Sequence, residues 1–327
     1  MPMRIGRAAD VIEKTPMPVC ARKPPVRLTE KPSAISVRAI ASSARAHLGS
    51  WCARVSIGQA LYFPLLMTST RRSVIGVIPA AGRATRLNHC MCAKELLPVG
   101  EVDGLDGRRL KAVSEYLIDA MVGAGADRLC IVLNPDKHDI VKFYGSGRSS
   151  RVPIAYVCQD RSLGMADAID SAYPWLRDAT VLMGMPDTIV RPADALARLR
   201  ALHDREHADI SLAITPTREP HRLGPVTWEG TGRVVEILDK PETPPHNRVW
   251  TVACWEPRFT EYLHAHLRDA SASSGEVALG DVFQAAVEDG FDVRALWFPD
   301  GEYIDIGTLD GLREAQRAAE RESTAAR

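Results

Sequence analysis

The sequence predicts an α/β protein with a Rossmann-like, mixed but mostly parallel sheet flanked by helices. Three observations carry that prediction. From Ser73 onward, short apolar runs alternate with amphipathic stretches, the pattern of strands and helices in turn. A small-residue loop, Ala80-Ala81-Gly82-Arg83-Ala84-Thr85-Arg86, directly follows the first run, Val74-Ile75-Gly76-Val77-Ile78-Pro79. Such a loop at the carboxyl end of a parallel strand is where an open α/β sheet takes an anionic ligand. Finally, 46% hydrophobic and 25% charged residues suit a globular chain.

The elements follow in order. Residues 74–78 read as a strand, 111–122 as an amphipathic helix ended by Gly123 and Gly125, and 128–133 as a second strand. A helix is expected over 135–143, a strand over 154–157, and a helix over 165–175 reached through Leu163-Gly164. Residues 180–183 and 210–214 read as strands around a helix over 193–204. The pattern then changes. Residues 225–228 and 233–238 flank Glu229-Gly230-Thr231-Gly232, which reads as a β-hairpin. A strand over 248–255, helices over 257–267 and 280–287, a strand over 293–298 and a helix over 309–320 complete the chain. Neither a linker nor an internal repeat interrupts this stretch, so residues 73–320 are expected to form one domain.

Residues 1–72 differ. Ten cations (Arg4, Arg7, Lys14, Arg22, Lys23, Arg27, Lys31, Arg38, Arg45, Arg54) face three acids before residue 71, and no periodic pattern lasts. That composition fits a basic disordered arm or transit-like segment, or a translation start at Met67.

Composition narrows the function classes. A net charge of +0 gives no global field for nucleic acid. No apolar run is long enough to cross a bilayer. Seven cysteines at irregular spacing in a chain of 327 residues read as reduced thiols in a cytoplasmic protein. Cys90-Met91-Cys92 lacks the further ligands a zinc site needs. His203 and His207, four apart with Asp204 where a zinc motif has glutamate, read as a solvated helix face.

The loop carries chemistry. Small side chains at Ala81, Gly82 and Ala84 let backbone N–H groups approach an anion. Arg86 and Lys94 bring two cations to the same neighbourhood, although solvated loop charges would read the same way. Further on stand Gln159 to Ala168, Met185-Pro186-Asp187-Thr188, Asp239-Lys240-Pro241 and Asp305-Ile306-Gly307-Thr308. Together with the loop and Lys94, these segments in this order resemble the sugar-1-phosphate nucleotidylyltransferases, most closely glucose-1-phosphate thymidylyltransferases and UTP–glucose-1-phosphate uridylyltransferases. The resemblance spans residues 73 to 318 and implies the nucleotide-diphospho-sugar transferase fold.

It also implies roles. Ala81, Gly82, Ala84 and Thr85 would wrap a nucleoside triphosphate, with Arg86 on the β- and γ-phosphates and Lys94 at the reacting phosphates. Gln159 and Gly164 would hold the pyrimidine base; a polar residue at a strand end is the plainer account of Gln159. Asp187 and Asp305 would hold Mg²⁺, while Asp305 also suits a helix N-cap. Lys240 would meet the sugar phosphate, and Gly224, Asp239 and Glu276 the sugar. Glu276 and Asp281 otherwise read as helix-start residues. The implied partners are the triphosphate and the sugar-1-phosphate, with neither nucleic acid nor membrane; family analogy alone suggests a homo-oligomer. The chain departs from the pattern at Arg83 and Ala84, in a shorter step from Arg86 to Lys94, in Asp239 for glutamate, and in Tyr303 for a common tryptophan. These departures motivate an alternative, a non-catalytic nucleotide-sugar-binding regulator on the same fold. A dehydrogenase-type dinucleotide site is disfavoured, because Ala80 to Arg86 lacks Gly-x-Gly-x-x-Gly. No C-terminal β-helix with a second acyltransferase activity is expected.

Overall fold

The computed structural model describes residues 72–82, 92–104, 107–161, 163–270 and 275–325. They run β1 (Val74–Pro79), a 3₁₀ turn (Lys94–Leu96), β2 (Pro98–Gly104), β3 (Gly107–Ala112), α1 (Val113–Gly123), β4 (Arg128–Leu133), α2 (His138–Tyr144), β5 (Ile154–Cys158), α3 (Met165–Ser171) and α4 (Tyr173–Leu176). There follow β6 (Thr180–Met183), β7 (Thr188–Arg191), α5 (Ala195–Glu206), β8 (Ile210–Pro216), β9 (Val226–Trp228), β10 (Val234–Ile237), β11 (Arg248–Trp255), α6 (Pro257–Ala270), α7 (Leu279–Glu288), β12 (Val293–Trp297), β13 (Glu302–Asp305) and α8 (Leu309–Ala325). The expectations for residues 1–71, including a start at Met67, lie outside the described residues.

A seven-stranded sheet in the order β12-β8-β11-β6-β1-β4-β5 is the centre of the fold. Only β11 runs against its neighbours β6 and β8; the other pairings are parallel. The sheet is therefore mixed and mostly parallel, as expected. Strand β1 shows how both faces are covered. Ile75 and Val77 join the core on one face, Val74 and Ile78 the core on the other. Burying such side chains stabilises by about 1.5–3 kcal/mol each. Gly76 is required between them, since a methyl there would stand 2.6 Å from Leu129 Cδ2 and Met121 Sδ.

Three features depart from the sequence reading. The helix expected over 165–175 is two, because Pro174 stands in the first turn of α4, where it needs no donor but cannot continue α3. The β2–β3 hairpin was not foreseen. Its residues are largely polar, and its order comes from Val99 packing against Val113, Ile304 and Ala315 in a third small core beneath α8. The antiparallel pair β7–β13 was missed because its two four-residue strands are joined only by tertiary pairing of distant segments. A fourth correction concerns His203, which is 1% exposed rather than solvated. Its Nδ1 lies 2.9 Å from Ser211 Oγ and its Nε2 3.2 Å from Glu256 Oε1. His207 follows the helix in a left-handed cap (φ 52°) and does not share its face. Among the described residues, no helix is long and apolar enough to cross a membrane.

Candidate active site

The parallel strands end at one edge of the sheet, where Ala81, Gly82, Gln159 and Asp187 follow β1, β5 and β6. Ala81 and Gly82 follow β1 directly; Arg83, Ala84, Thr85 and Arg86 lie outside the described residues. The described residues resume at Cys92, and Lys94 lies on the 3₁₀ turn. The Lys94 ammonium is ion-paired with the Asp187 carboxylate. Burial works against the ammonium, but Asp187, with Glu95 and Asp305 behind it, outweighs burial and holds it above the ordinary lysine range. Lys94 is thus a partly buried, charge-paired group, not a solvated loop charge.

Asp187 and Asp305 come from segments more than a hundred residues apart, joined by the β7–β13 pairing. Asp305 is opposite Thr188, and Ile306 N donates to the Asp187 carbonyl at 3.0 Å. The cap expected of Asp305 belongs to Thr308, whose Oγ1 accepts from Gly311 N at 3.1 Å in the first turn of α8. Asp305 instead folds its own turn, Oδ1 accepting from Gly307 N at 2.7 Å. Among the described residues, no three His, Cys, Asp or Glu side chains converge as a metal cage.

Gln159 directly follows β5 and is 5% exposed, so the reading as an exposed strand-end residue does not hold. Its amide Nε2 donates to Asp167 Oδ2 at 2.5 Å, a partner the sequence gave no reason to choose. Gly164 caps α3 with φ 96°, a conformation that favours glycine. A methyl on it would stand 2.5 Å from Glu276 Cγ, so the predicted base and sugar residues are direct neighbours. Gly224 packs on the Trp250 indole; a methyl would stand 2.6 Å from Trp250 Cδ1. The buried Trp250 Nε1 has no hydrogen-bond partner among the described residues. Lys240 adopts φ 44°, its N–H donating to the Leu223 carbonyl at 3.0 Å, and its side chain is 62% exposed. The Asp239 carboxylate packs against Gly280, and a methyl on that glycine would stand 3.2 Å from Asp239 Oδ1. The Asp281 carboxyl is raised, by burial first and by the Asp239 charge second.

Six of the residues singled out in the sequence line one cavity, whereas Lys94, Gln159 and Gly164 do not line it. A space of about 1130 Å³ is lined by Asp187, Asp305, Gly224, Asp239, Lys240 and Glu276, with Met165 and Trp250. That volume is ample for a ligand of two linked parts. Acids and cations alternate around the cavity: Lys240 Nζ lies 3.6 Å from Asp239 Oδ2, and Arg218 and Arg222, which the sequence reading did not single out, also line the space.

Comparison with known proteins shows the class of protein to which this sheet and its edge belong. The nucleotidyl transferase family model matches residues 75–322. A UTP–glucose-1-phosphate uridylyltransferase of Haloferax volcanii is 30% identical over 254 residues, covering 76% of this chain and 98% of the relative. A glucose-1-phosphate thymidylyltransferase of Streptomyces antibioticus is 25% identical, and the match spans 65% of its length. Among solved structures, a Bacillus anthracis protein described as a glucose-1-phosphate thymidylyltransferase superposes with a TM-score of 0.66 at 20% identity, covering 76% of this chain and 95% of the other. A UDP-glucose pyrophosphorylase in complex with UDP-glucose gives 0.62 at 19% identity; both establish the fold. The chain belongs to the sugar-1-phosphate nucleotidylyltransferase family and is an enzyme of that class.

Proposed function

We propose that this enzyme joins UTP or dTTP to glucose-1-phosphate, giving a nucleoside diphosphate glucose and pyrophosphate. The convergence of Lys94, Asp187 and Asp305 beside a cavity that also holds Lys240 carries the reading. The reaction brings a phosphate monoester against a triphosphate. Like charges 4 Å apart repel by about 4 kcal/mol at an effective dielectric near 20. Cations fixed before the substrates meet offset that repulsion without an enzyme nucleophile.

In this reading the sugar phosphate oxygen attacks the α-phosphorus in line and the bond to the leaving pyrophosphate breaks. Lys94, held by Asp187, faces the reacting phosphates, and Arg86 grips the leaving group. Lys240 holds the sugar phosphate, while Gly224, Asp239 and Glu276 border the sugar. The hard carboxylates of Asp187 and Asp305 fit Mg²⁺, which takes few protein ligands and completes its shell with phosphates and water; when bound it would neutralise phosphate charge. Asp167 supports a uracil or thymine base. A carboxylate only accepts, so it takes the amide N–H₂ of Gln159 and leaves Oε1 to accept from an imide N–H. Cytosine presents an acceptor at the corresponding ring nitrogen and would be disfavoured.

The test is pyrophosphate release by the full chain with Mg²⁺ and glucose-1-phosphate across UTP, dTTP, CTP, GTP and ATP. Release that requires both substrates and favours UTP or dTTP is expected. Release with another sugar-1-phosphate only, or with a purine nucleotide, would overturn the substrate assignment.

A further inference from the structure

The connection between β4 and α2 reaches both stems that flank residues 83–91. On the first stem, Lys137 Nζ donates to the Ala80 carbonyl at 2.6 Å and Asn134 Nδ2 to the Ala81 carbonyl at 2.8 Å. On the second, the same Lys137 Nζ pairs with Glu95 Oε1 at 2.6 Å, and Asp139 Oδ2 accepts from Ala93 N at 2.5 Å. Lys137 is therefore shared between the stems. It is 8% exposed and Glu95 is 2% exposed. The Glu95 backbone is fixed as well, its carbonyl accepting from Ser114 Oγ at 2.6 Å.

A stabilising role alone explains this pair poorly. Two charges withdrawn from water repay their desolvation only with all their hydrogen bonds made. Here Glu95 Oε2 is buried without a partner among the described residues. Burial pushes the Glu95 carboxyl up despite the opposing Lys137 charge. Two apolar side chains of similar volume would hold the turn as well. What they could not do is orient peptide groups. In a trans peptide the N–H points opposite to the carbonyl. With the Ala80 and Ala81 carbonyls drawn toward Lys137 and Asn134, the N–H groups of Ala81 and Gly82 face away from the β4–α2 turn. Glu95 is next to Lys94, so the pull that fixes Glu95 also fixes where the Lys94 ammonium meets Asp187.

We propose that Lys137, supported by Asn134 and Asp139, is a positioning residue for the triphosphate: it sets the direction of the Ala81 and Gly82 N–H groups and the reach of Lys94 at once. The inference rests on the proposed function, in which this edge takes the triphosphate, and concerns residues outside the roles named there.

The test compares the full chain with Lys137→Met, Lys137→Arg and the double variant Glu95→Gln/Lys137→Met. The double variant leaves no buried charge unpaired, so it folds even if Lys137→Met does not. Thermal midpoint, kcat and the KM of each substrate are read for every variant. The expected result for the double variant is a midpoint near that of the parent, a triphosphate KM raised and kcat lowered by about tenfold or more each, and an unchanged sugar-1-phosphate KM. Lys137→Arg, which keeps a donor for both partners, should recover part of the loss. Parent-like KM and kcat in the double variant would overturn the clamp. So would loss of both KM values in parallel with the thermal midpoint, the mark of a purely structural pair. A parent enzyme that turns over while the variants match it refutes the clamp alone; a parent that neither binds a triphosphate nor releases pyrophosphate refutes the proposed function, and the clamp with it.

Discussion

Gly311 offers a sharp test of how α8 serves the site. It occupies the first turn of that helix, where alanine would ordinarily be better than glycine by about 1 kcal/mol. The tertiary structure reverses the sign. A methyl on Gly311 would stand 3.0 Å from the Asp305 carbonyl carbon and overlap its oxygen. Carbon atoms prefer about 3.5–4.0 Å, and the neighbour is backbone, which cannot rotate aside. In Gly311→Ala the helix and the Asp305 turn must therefore part by about 1 Å, a shift that costs on the order of 10²-fold when it falls on a reacting group. Overpacking of this kind costs about 1–3 kcal/mol, leaving a net loss of about 1 kcal/mol after the helix gain and a thermal midpoint lower by about 2–4 °C. Steady-state pyrophosphate release and differential scanning calorimetry read the two effects. Gly123→Ala is the control, since nothing lies within 4 Å of a methyl there, and its turnover should match the parent. Parent-like turnover together with an unchanged or raised midpoint in Gly311→Ala would refute the reasoning.

Three further outcomes are expected. Asp187→Asn removes the charge that holds Lys94; the fold should persist while kcat falls by about 10²–10³-fold, and near-parent activity with Mg²⁺ would remove Asp187 from the site. Gln159→Ala should narrow the ratio of kcat/KM for UTP or dTTP over CTP with little change in thermal stability, whereas an unchanged ratio would place Gln159 outside base recognition. His203 is held at about 4 by burial first and the Arg200 charge second. Above pH 6.5 it is neutral in both states and costs nothing. As pH falls from 6.5 toward 4 the unfolded chain takes a proton the folded chain refuses, a loss reaching about 3 kcal/mol. In His203→Gln the thermal midpoint should vary less across that window; an equally steep decline would assign the acid sensitivity to other groups.

Much of the fold was legible because its signals are local. The strands at 180–183 and 248–255 coincide with β6 and β11, since an apolar run bounded by turn residues needs no distant partner to be recognised. The β2–β3 hairpin and the β7–β13 pair were not legible, because a polar hairpin and two four-residue strands are ordered by what lies across from them. The site divides in the same way. The residue types at Lys94, Asp187, Gln159, Lys240 and Asp305 could be read from motif order. Their partners could not: neither the Asp167 carboxylate on Gln159 nor the Lys137 ammonium between two stems has a sequence pattern.

By itself, then, the sequence determined the alternation that makes a mostly parallel sheet and the kinds of group available at its carboxyl edge, because periodicity and residue chemistry are properties of neighbours along the chain. Only the tertiary structure decided that Asp305 lies beside Asp187 and that Thr308 rather than Asp305 caps α8. It also decided that His203 is buried, which pushes its imidazole pKa down. Burial and pairing between residues far apart in sequence are set by how the layers close, and an isolated segment does not carry that information.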